Sequence, residues 1–461
     1  MKKNFFLLII VFLFLFFSNT HNVFCNNLLE TKESDTSTEY TNNKIAVINI
    51  VGNRITSPEI IKSYLGIDTG VQFDSVRINE GKKTLLSTEL FSKIDILHIQ
   101  KSDGVHLYII IKELFYLYPE GTLYYTFGIY GDTSSLWWKL RAGLAIYNFR
   151  GQLETFAIRG VFWEERGIGF SWAKPLIRTP YSIGLSADYN NAPDLGKPRR
   201  RSITTARISG IRRINSKIKL FSFLGGSYSR IDTLYNNIKI KSYSELLLGL
   251  GIIIDKRNSM FDPKNGFYLL SQAYTNTIYS QYLKFLQIYN DVRLYHNGFF
   301  TSDVFACRLH GILRTNDAGP YRNLYMGGEG SVEGYPANYF GRSNIMNNYV
   351  VLSLEYRFPM LTSPGFDVWI LSYFSDIFKS FYLKIDGALI ANAGHIWHDI
   401  KSPFANRENG AGAGTGIRII APTIRRSGCI DIIWNIPGLT DPYGTKFYPV
   451  PSYYLYLDMY F

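Results

Sequence analysis

Three segments near the C-terminal end alternate apolar and polar residues without a break, and they narrow the fold more than any other feature. VVLSLEYRF puts Val350, Leu352, Leu354, Tyr356 and Phe358 on one face and Glu355 and Arg357 on the other. CIDIIWNI sets Ile430, Ile432, Trp434 and Ile436 opposite Asp431 and Asn435. YYLYLDMYF sets Tyr453, Leu455, Leu457, Met459 and Phe461 against Tyr454, Tyr456, Asp458 and Tyr460. A period of two is that of a β-strand whose faces meet different surroundings. One greasy face and one charged face suit a wall between lipid and a wet lumen. In hydrocarbon, such a sheet pairs all its backbone groups only by closing on itself. A soluble sandwich also alternates, but it turns its apolar faces inward.

Composition agrees with a membrane barrel. The chain has 34 Tyr and 32 Phe, is 16% aromatic and only 19% charged. No segment after the N-terminus is apolar enough to span a bilayer as a helix. From Glu120 onward the sequence is strand-rich, and alternation and turn signals divide it into sixteen strands. Bacterial membrane barrels take even strand numbers.

The N-terminus reads as an export signal over residues 1–25. Lys2 and Lys3 precede the apolar run Phe5 to Phe17 and the polar exit SNTHN, with cleavage expected near Cys25. The bulky Phe24 argues against lipidation of that cysteine. Cys307 and Cys429 fall on separate predicted strands, so the three cysteines make no disulfide framework. The net charge of +12 includes the two leader lysines, and the remainder suits an envelope surface facing anionic lipid. No basic stripe is interleaved with stacking aromatics, so nucleic acid is not an expected partner.

After a polar spacer (residues 26–43), a small α+β module occupies residues 44–115. KIAVINIVGN reads as a strand. TSPEIIKSYLG offers Ser57 as N-cap, Pro58 at the first helical position and Gly66 as the stop. A second helix fits Ser75 to Glu89, and FSKIDILHI and VHLYIIIKE complete a β-α-α-β-β order. Within the strand-rich part, GGEGSVEGYPANYFGRS (Gly327 to Ser343) is a long glycine-rich insertion with Glu333 at its centre. Gly412, Gly414 and Gly416 fall on one face of a later strand, where missing side chains leave room for something inserted. GAGAGTG lacks the strand-turn-helix context of a nucleotide site. In HIWHD, the spacing sends His395 and His398 to opposite faces, which disfavours a metal trio. No nucleophile–base pair, cofactor motif or metal cluster is evident, so no enzyme is expected.

The small module, with its IVGN and LLSTELFSKIDI, resembles a POTRA domain. The insertion, together with DKRNSMFDPKNGFYLL, LSLEYRFP, IANAGHIW and GAGTGIRIIAP, resembles the BamA/TamA/Sam50 outer-membrane assembly family. The resemblance implies a mainly β fold: a 16-stranded antiparallel transmembrane β-barrel over 116–461, preceded by one small periplasmic POTRA domain. It implies that the loop over 316–348 joins strands eleven and twelve and folds back into the lumen. The loop motif is then Gly327, Gly328, Ser331, Val332, Glu333, Gly334 and Tyr335.

The family carries arginine where this chain has Glu333, and that arginine meets acids at positions matching Glu355 and Asn392. Both the tip and one partner are therefore changed here. By parity Arg357 and Arg418 face inward, as does Asp431, and either arginine is expected to pair with Glu333 in a re-wired latch. The resemblance further implies a weak seam between the first strand, near Leu123 to Tyr130, and the last. Tyr453, Leu455, Leu457, Met459 and Phe461 mark that last strand and its recognition signal. The expected function is folding and inserting barrel proteins through the seam. The expected partners are unfolded outer-membrane clients, outer-membrane lipids and a periplasmic lipoprotein or inner-membrane protein. Alternatives are a two-partner-secretion pore, a TamA-like accessory, or a structural barrel. Two-partner translocators usually carry two POTRA modules and a plug helix, neither of which is evident in the sequence.

Overall fold

The computed structural model describes residues 43–456 except 87, 89, 115, 131–132, 164, 177–178, 194–198, 234–240, 279–282, 316–322, 329, 337, 342–344, 370–380, 423–425 and 437–450. The export signal and spacer expected from the sequence lie outside these residues, as do Leu457, Met459 and Phe461.

The N-terminal module runs β1 (Ile45–Val51), α1 (Pro58–Leu65), α2 (Ser75–Leu86), β2 (Phe91–Lys101) and β3 (Gly104–Glu113). Its sheet order is β1-β3-β2, with β1 parallel and β2 antiparallel to β3. Helix α1 starts where Ser57 accepts a hydrogen bond from the Glu59 amide and stops at Gly66, whose φ is 67°. Helix α2 is capped by Asp74, which accepts from the amides of Val76 and Arg77 at 2.9 and 3.1 Å. It ends at Leu86, short of the Glu89 expected, where the Thr88 hydroxyl takes the Leu85 carbonyl at 2.6 Å. Ile60, Ile61 and Leu65 pack with Leu85, Phe91 and Leu107 beneath the sheet.

Sixteen strands close into one barrel, β4 to β19, with β19 hydrogen-bonded back to β4. They begin with β4 (Leu117–Tyr130), β5 (Thr133–Phe149) and β6 (Glu154–Trp163), and β7 to β13 follow between Arg166 and Asn297. The last six are β14 (Val304–Arg314), β15 (Asn348–Thr362), β16 (Lys384–Trp397), β17 (Arg407–Ala421), β18 (Arg426–Asn435) and β19 (Ser452–Tyr456). All neighbouring pairs are antiparallel, and several strands exceed the ~9–11 residues needed to cross a bilayer. Outward positions carry exposed Ile208, Leu224, Leu248 and Leu250, the last at 66% exposure. The three alternating segments divide as their parity requires: Ile430, Tyr453 and Leu455 are exposed, while Glu355, Arg357, Asp431, Tyr454 and Tyr456 are buried. Among the described residues no helix is long and apolar enough to cross a membrane.

The module is locked to the barrel at the β5–β6 turn. The Ser57 amide donates to the Gly151 carbonyl at 2.9 Å, and Asn148 Nδ2 donates to Thr56 Oγ1 at 2.8 Å. Thr56 also meets the Tyr116 hydroxyl at 3.2 Å, and burial pushes that phenol well above its ordinary range, so it stays a hydroxyl. Glu113 accepts from the amides of Arg54, Ile55 and Thr56. Gly151 has φ 71°, and a Cβ there would lie 2.1 Å from the Ile55 carbonyl oxygen. Gly151→Ala is therefore expected to detach this turn while leaving the module folded. Hydrogen exchange at residues 54–57 should rise by at least about tenfold with α1 protection unchanged; equal protection at 54–57 would refute the lock.

Candidate functional site: the lumenal loop and the seam

The chain between β14 and β15 returns into the barrel, and these two are the eleventh and twelfth strands from β4. Its two arms pair at Met326 and Phe340, whose backbones exchange hydrogen bonds at 3.2 and 2.8 Å. Between them a tight turn is held by Gly328 N to Val332 O and by Gly327 N to Ser331 Oγ, at 3.1 and 3.2 Å. Around this frame Met326, Val332, Tyr335, Tyr339 and Phe340 form a buried cluster that continues into Val351 and Ile396 of the wall. The Tyr335–Phe340 and Tyr339–Phe340 ring centroids lie 4.8 and 4.9 Å apart. The loop thus carries its own small apolar core, and this is how a long insertion remains ordered inside a polar lumen.

Close approach to the wall depends on glycine. A Cβ on Gly412 of β17 would sit 2.1 Å from the Glu333 carbonyl oxygen, and one on Gly410 would meet the Phe340 ring at 2.4 Å. Gly394 of β16 likewise leaves space for Val332 and Met326. On the loop itself, Gly334 has φ 89° and lies against the Trp434 backbone of β18. The expected glycine stripe therefore divides in its work. Gly412 admits the loop, whereas Gly416 makes way for the side chains of Asp431 and Arg418.

The electrostatics differ from the latch expected of the sequence. Glu333 is buried, and it accepts a hydrogen bond from the Tyr456 hydroxyl of β19 at 2.9 Å. It forms no ion pair with Arg357 or Arg418. Both arginines are engaged by acids of the wall: Arg418 holds Glu355 through two bonds, at 3.0 and 2.5 Å, and also binds Asp431, while Arg357 binds Glu355. The physical reason is prior occupancy. Arg418 registers through Cys429 with Tyr456, the residue that Glu333 meets, so it stands at a suitable level, but Glu355 and Asp431 already hold it. Arg357 lies four residues along β15 from Ser353, which registers through Asn392 with Gly412, and it too is held by Glu355. Parity placed the arginines on the right face without showing that the wall acids engage them first.

Asn392 lies beside Gly412, yet neither of its amide atoms has a hydrogen-bond partner among the described residues. Other anchors carried no sequence signal. His310 Nε2 lies 3.0 Å from the Gly330 carbonyl, Glu408 accepts from the Gly341 amide at 2.6 Å, and the Tyr335 hydroxyl donates to the Ile436 carbonyl at 3.1 Å. The Gly334 amide donates to the Tyr454 hydroxyl at 3.1 Å. Inward parity was the one available hint for Tyr454 and Tyr456.

At the closure, Tyr453, Tyr454, Leu455 and Tyr456 of β19 register with Tyr125, Tyr124, Leu123 and Thr122 of β4. On its other edge β4 pairs with β5 from Leu117 to Tyr130.

Residues 148–428 match the family model described as the Omp85 superfamily domain, and residues 43–114 match that described as the surface antigen variable number repeat, a POTRA module. BamA from Haemophilus ducreyi lacking POTRA domains 1–3 superposes with a TM-score of 0.58 at 14% identity, covering 89% of this chain and 84% of that one. CdiB from Acinetobacter baumannii gives 0.61 at 13% identity, with 90% and 74% covered. CdiB from Escherichia coli gives 0.58 at 10% identity, with 90% and 76% covered. At these identities the likeness is one of fold. Against curated protein sequences the chain gives no match.

Proposed function

The chain belongs to the Omp85 superfamily, and on that premise we propose that it folds and inserts β-barrel proteins into an outer membrane through the β4–β19 seam. The observation that carries this reading is where the barrel closes: its first and last strands, β4 and β19, meet edge to edge, with Tyr453 to Tyr456 in register with Tyr125 to Thr122. Parting them exposes backbone donors and acceptors on two edges, which a client hairpin can pair in turn. The gain comes from satisfying those edges within hydrocarbon, so no nucleotide or redox step is required. The module supports the earlier stage. Strand β2 is an edge of its sheet, and Leu97 and Ile99 stand exposed on it, a surface to which an extended client segment adds as a further strand. Outer-membrane clients and lipids are the partners this reading requires. A lipoprotein or inner-membrane partner fits the same reading.

A two-partner-secretion pore is the rival reading, and it needs the lumen clear. The returning loop, its buried cluster and its contacts to β16–β19 weigh against it, because polypeptide would pass only after the whole plug left.

A seam disulfide separates the two. Leu123→Cys with Leu455→Cys joins residues in register across the closure. When oxidised, this variant is expected to lose at least about tenfold of its client-insertion rate into vesicles and to regain it on reduction, since edge pairing is the proposed driving step. Insertion that continues at the native rate with the disulfide formed would refute lateral insertion. Secretion of a single exported substrate that survives the cross-link would support the pore.

A further inference from the structure

The loop tip is fastened to the β19 side of the seam. Glu333 accepts from Tyr456, the Gly334 amide donates to Tyr454, and the Tyr335 hydroxyl donates to Ile436, just beyond β18. Tyr454 and Tyr456 point into the lumen from the strand that pairs with β4, and their rings lie parallel with centroids 6.2 Å apart. Both are buried, at 1% and 4% exposure. We infer that Glu333 and Gly334, with Tyr456 and Tyr454, form a lumenal latch on the terminal strand, so that the inserted loop sets how readily the seam opens. This inference rests on the proposed seam but concerns its opening rather than what enters it.

The reasoning is one of competing anchors. Strand β19 is held to β4 by backbone bonds on one edge and to β18 on the other. Side-chain ties to the plug add a third hold, directed inward and perpendicular to the sheet. For β19 to leave β4, its inward tyrosines must move off the loop tip, or the tip must move with them. The tip cannot follow freely, because Gly412 and the Trp434 backbone lie in close contact with Glu333 and Gly334 and because the loop's apolar cluster packs on Val351 and Ile396. The two tyrosines are not equivalent. Tyr456 satisfies a buried carboxyl oxygen, whereas Tyr454 takes one backbone amide, so removing the Tyr456 hydroxyl has the larger effect. An arginine at the tip would serve the wall acids rather than Tyr456. Glutamate at this position directs the tip toward the last strand.

Hydrogen exchange of the full chain in lipid vesicles tests this. Tyr456→Phe is expected to speed exchange at residues 452–456 by at least about tenfold, with residues 246–253 of the wall unchanged. Glu333→Ala should reproduce the effect, Glu333→Gln should largely spare it because its amide oxygen still accepts, and Tyr454→Phe should give a smaller increase. Unchanged exchange at 452–456 in both Tyr456→Phe and Glu333→Ala, or an equal rise throughout the barrel, would overturn the latch. The readout is independent of client insertion. A seam that opens more readily yet inserts nothing would refute the proposed function while leaving the latch standing.

Discussion

Glu355→Gln is expected to be the most destabilising single substitution in the lumen, lowering unfolding stability by about 3–5 kcal/mol. Glu355 is buried between two arginines: Arg418 grips it through two bonds and Arg357 through one. Together with Asp431 the cluster holds two acids and two bases, a balanced set. An amide at 355 leaves Asp431 alone against two guanidinium groups that water does not reach. Arg357 suffers most, since neither of its Nη atoms has another partner among the described residues. A buried charge without its counter-ion costs far more than the intact pair contributes. The double variant Glu355→Met with Arg357→Met should therefore recover much of the loss, because Arg418 and Asp431 remain paired. Urea unfolding of the vesicle-embedded protein would measure both. A single variant within about 1 kcal/mol of the native protein would show that the cluster is hydrated and unimportant.

The second large effect is expected from Gly412→Val. Its Cβ would lie 2.1 Å from the Glu333 carbonyl oxygen, a backbone atom unable to swing aside like a flexible side chain. Overpacking a core usually costs about 1–3 kcal/mol because neighbours shift. Here the neighbour is the loop tip, so the loop as a whole must withdraw. Trypsin cleavage between β14 and β15 is expected to accelerate at least about tenfold, while the barrel ladders keep their exchange protection. Trypsin cuts after arginine and lysine, and Arg322 and Arg342 are the basic residues of that segment. Gly414→Val is the informative comparison, since its Cβ meets the Ile432 carbonyl of the wall rather than the loop. Loop protection preserved in Gly412→Val would mean that the tip is not seated where the structure places it.

How much of this was legible beforehand depends on the range over which each residue's surroundings are set. Ser57, Pro58 and Gly66 announced α1 because a cap acts within one turn. Residues 430 and 431, or 454 and 455, announced their faces because a strand alternates with its neighbour. Gly412 was partly legible, as glycines on one face of a strand signal a close approach without saying what approaches, whereas Gly394 and Gly410 were not singled out. The partner of Glu333 was not legible. It lies 123 residues away in the chain, on a strand whose depth follows from the register of every ladder between them. His310 and Glu408 were hidden for the same reason, since each binds a loop backbone atom that no side-chain pattern records.

Local sequence set the period of the strands, and hence which residues face lipid and which face the lumen, together with the small α+β module and the loop's need for glycine. These are short-range consequences of backbone geometry and solvent preference. How deep the loop descends, which arginines the wall acids already occupy, and the tip's ending on Tyr454 and Tyr456 came from the closed fold. Closing a sheet fixes the relative heights of residues far apart in the chain, and no local pattern encodes a height.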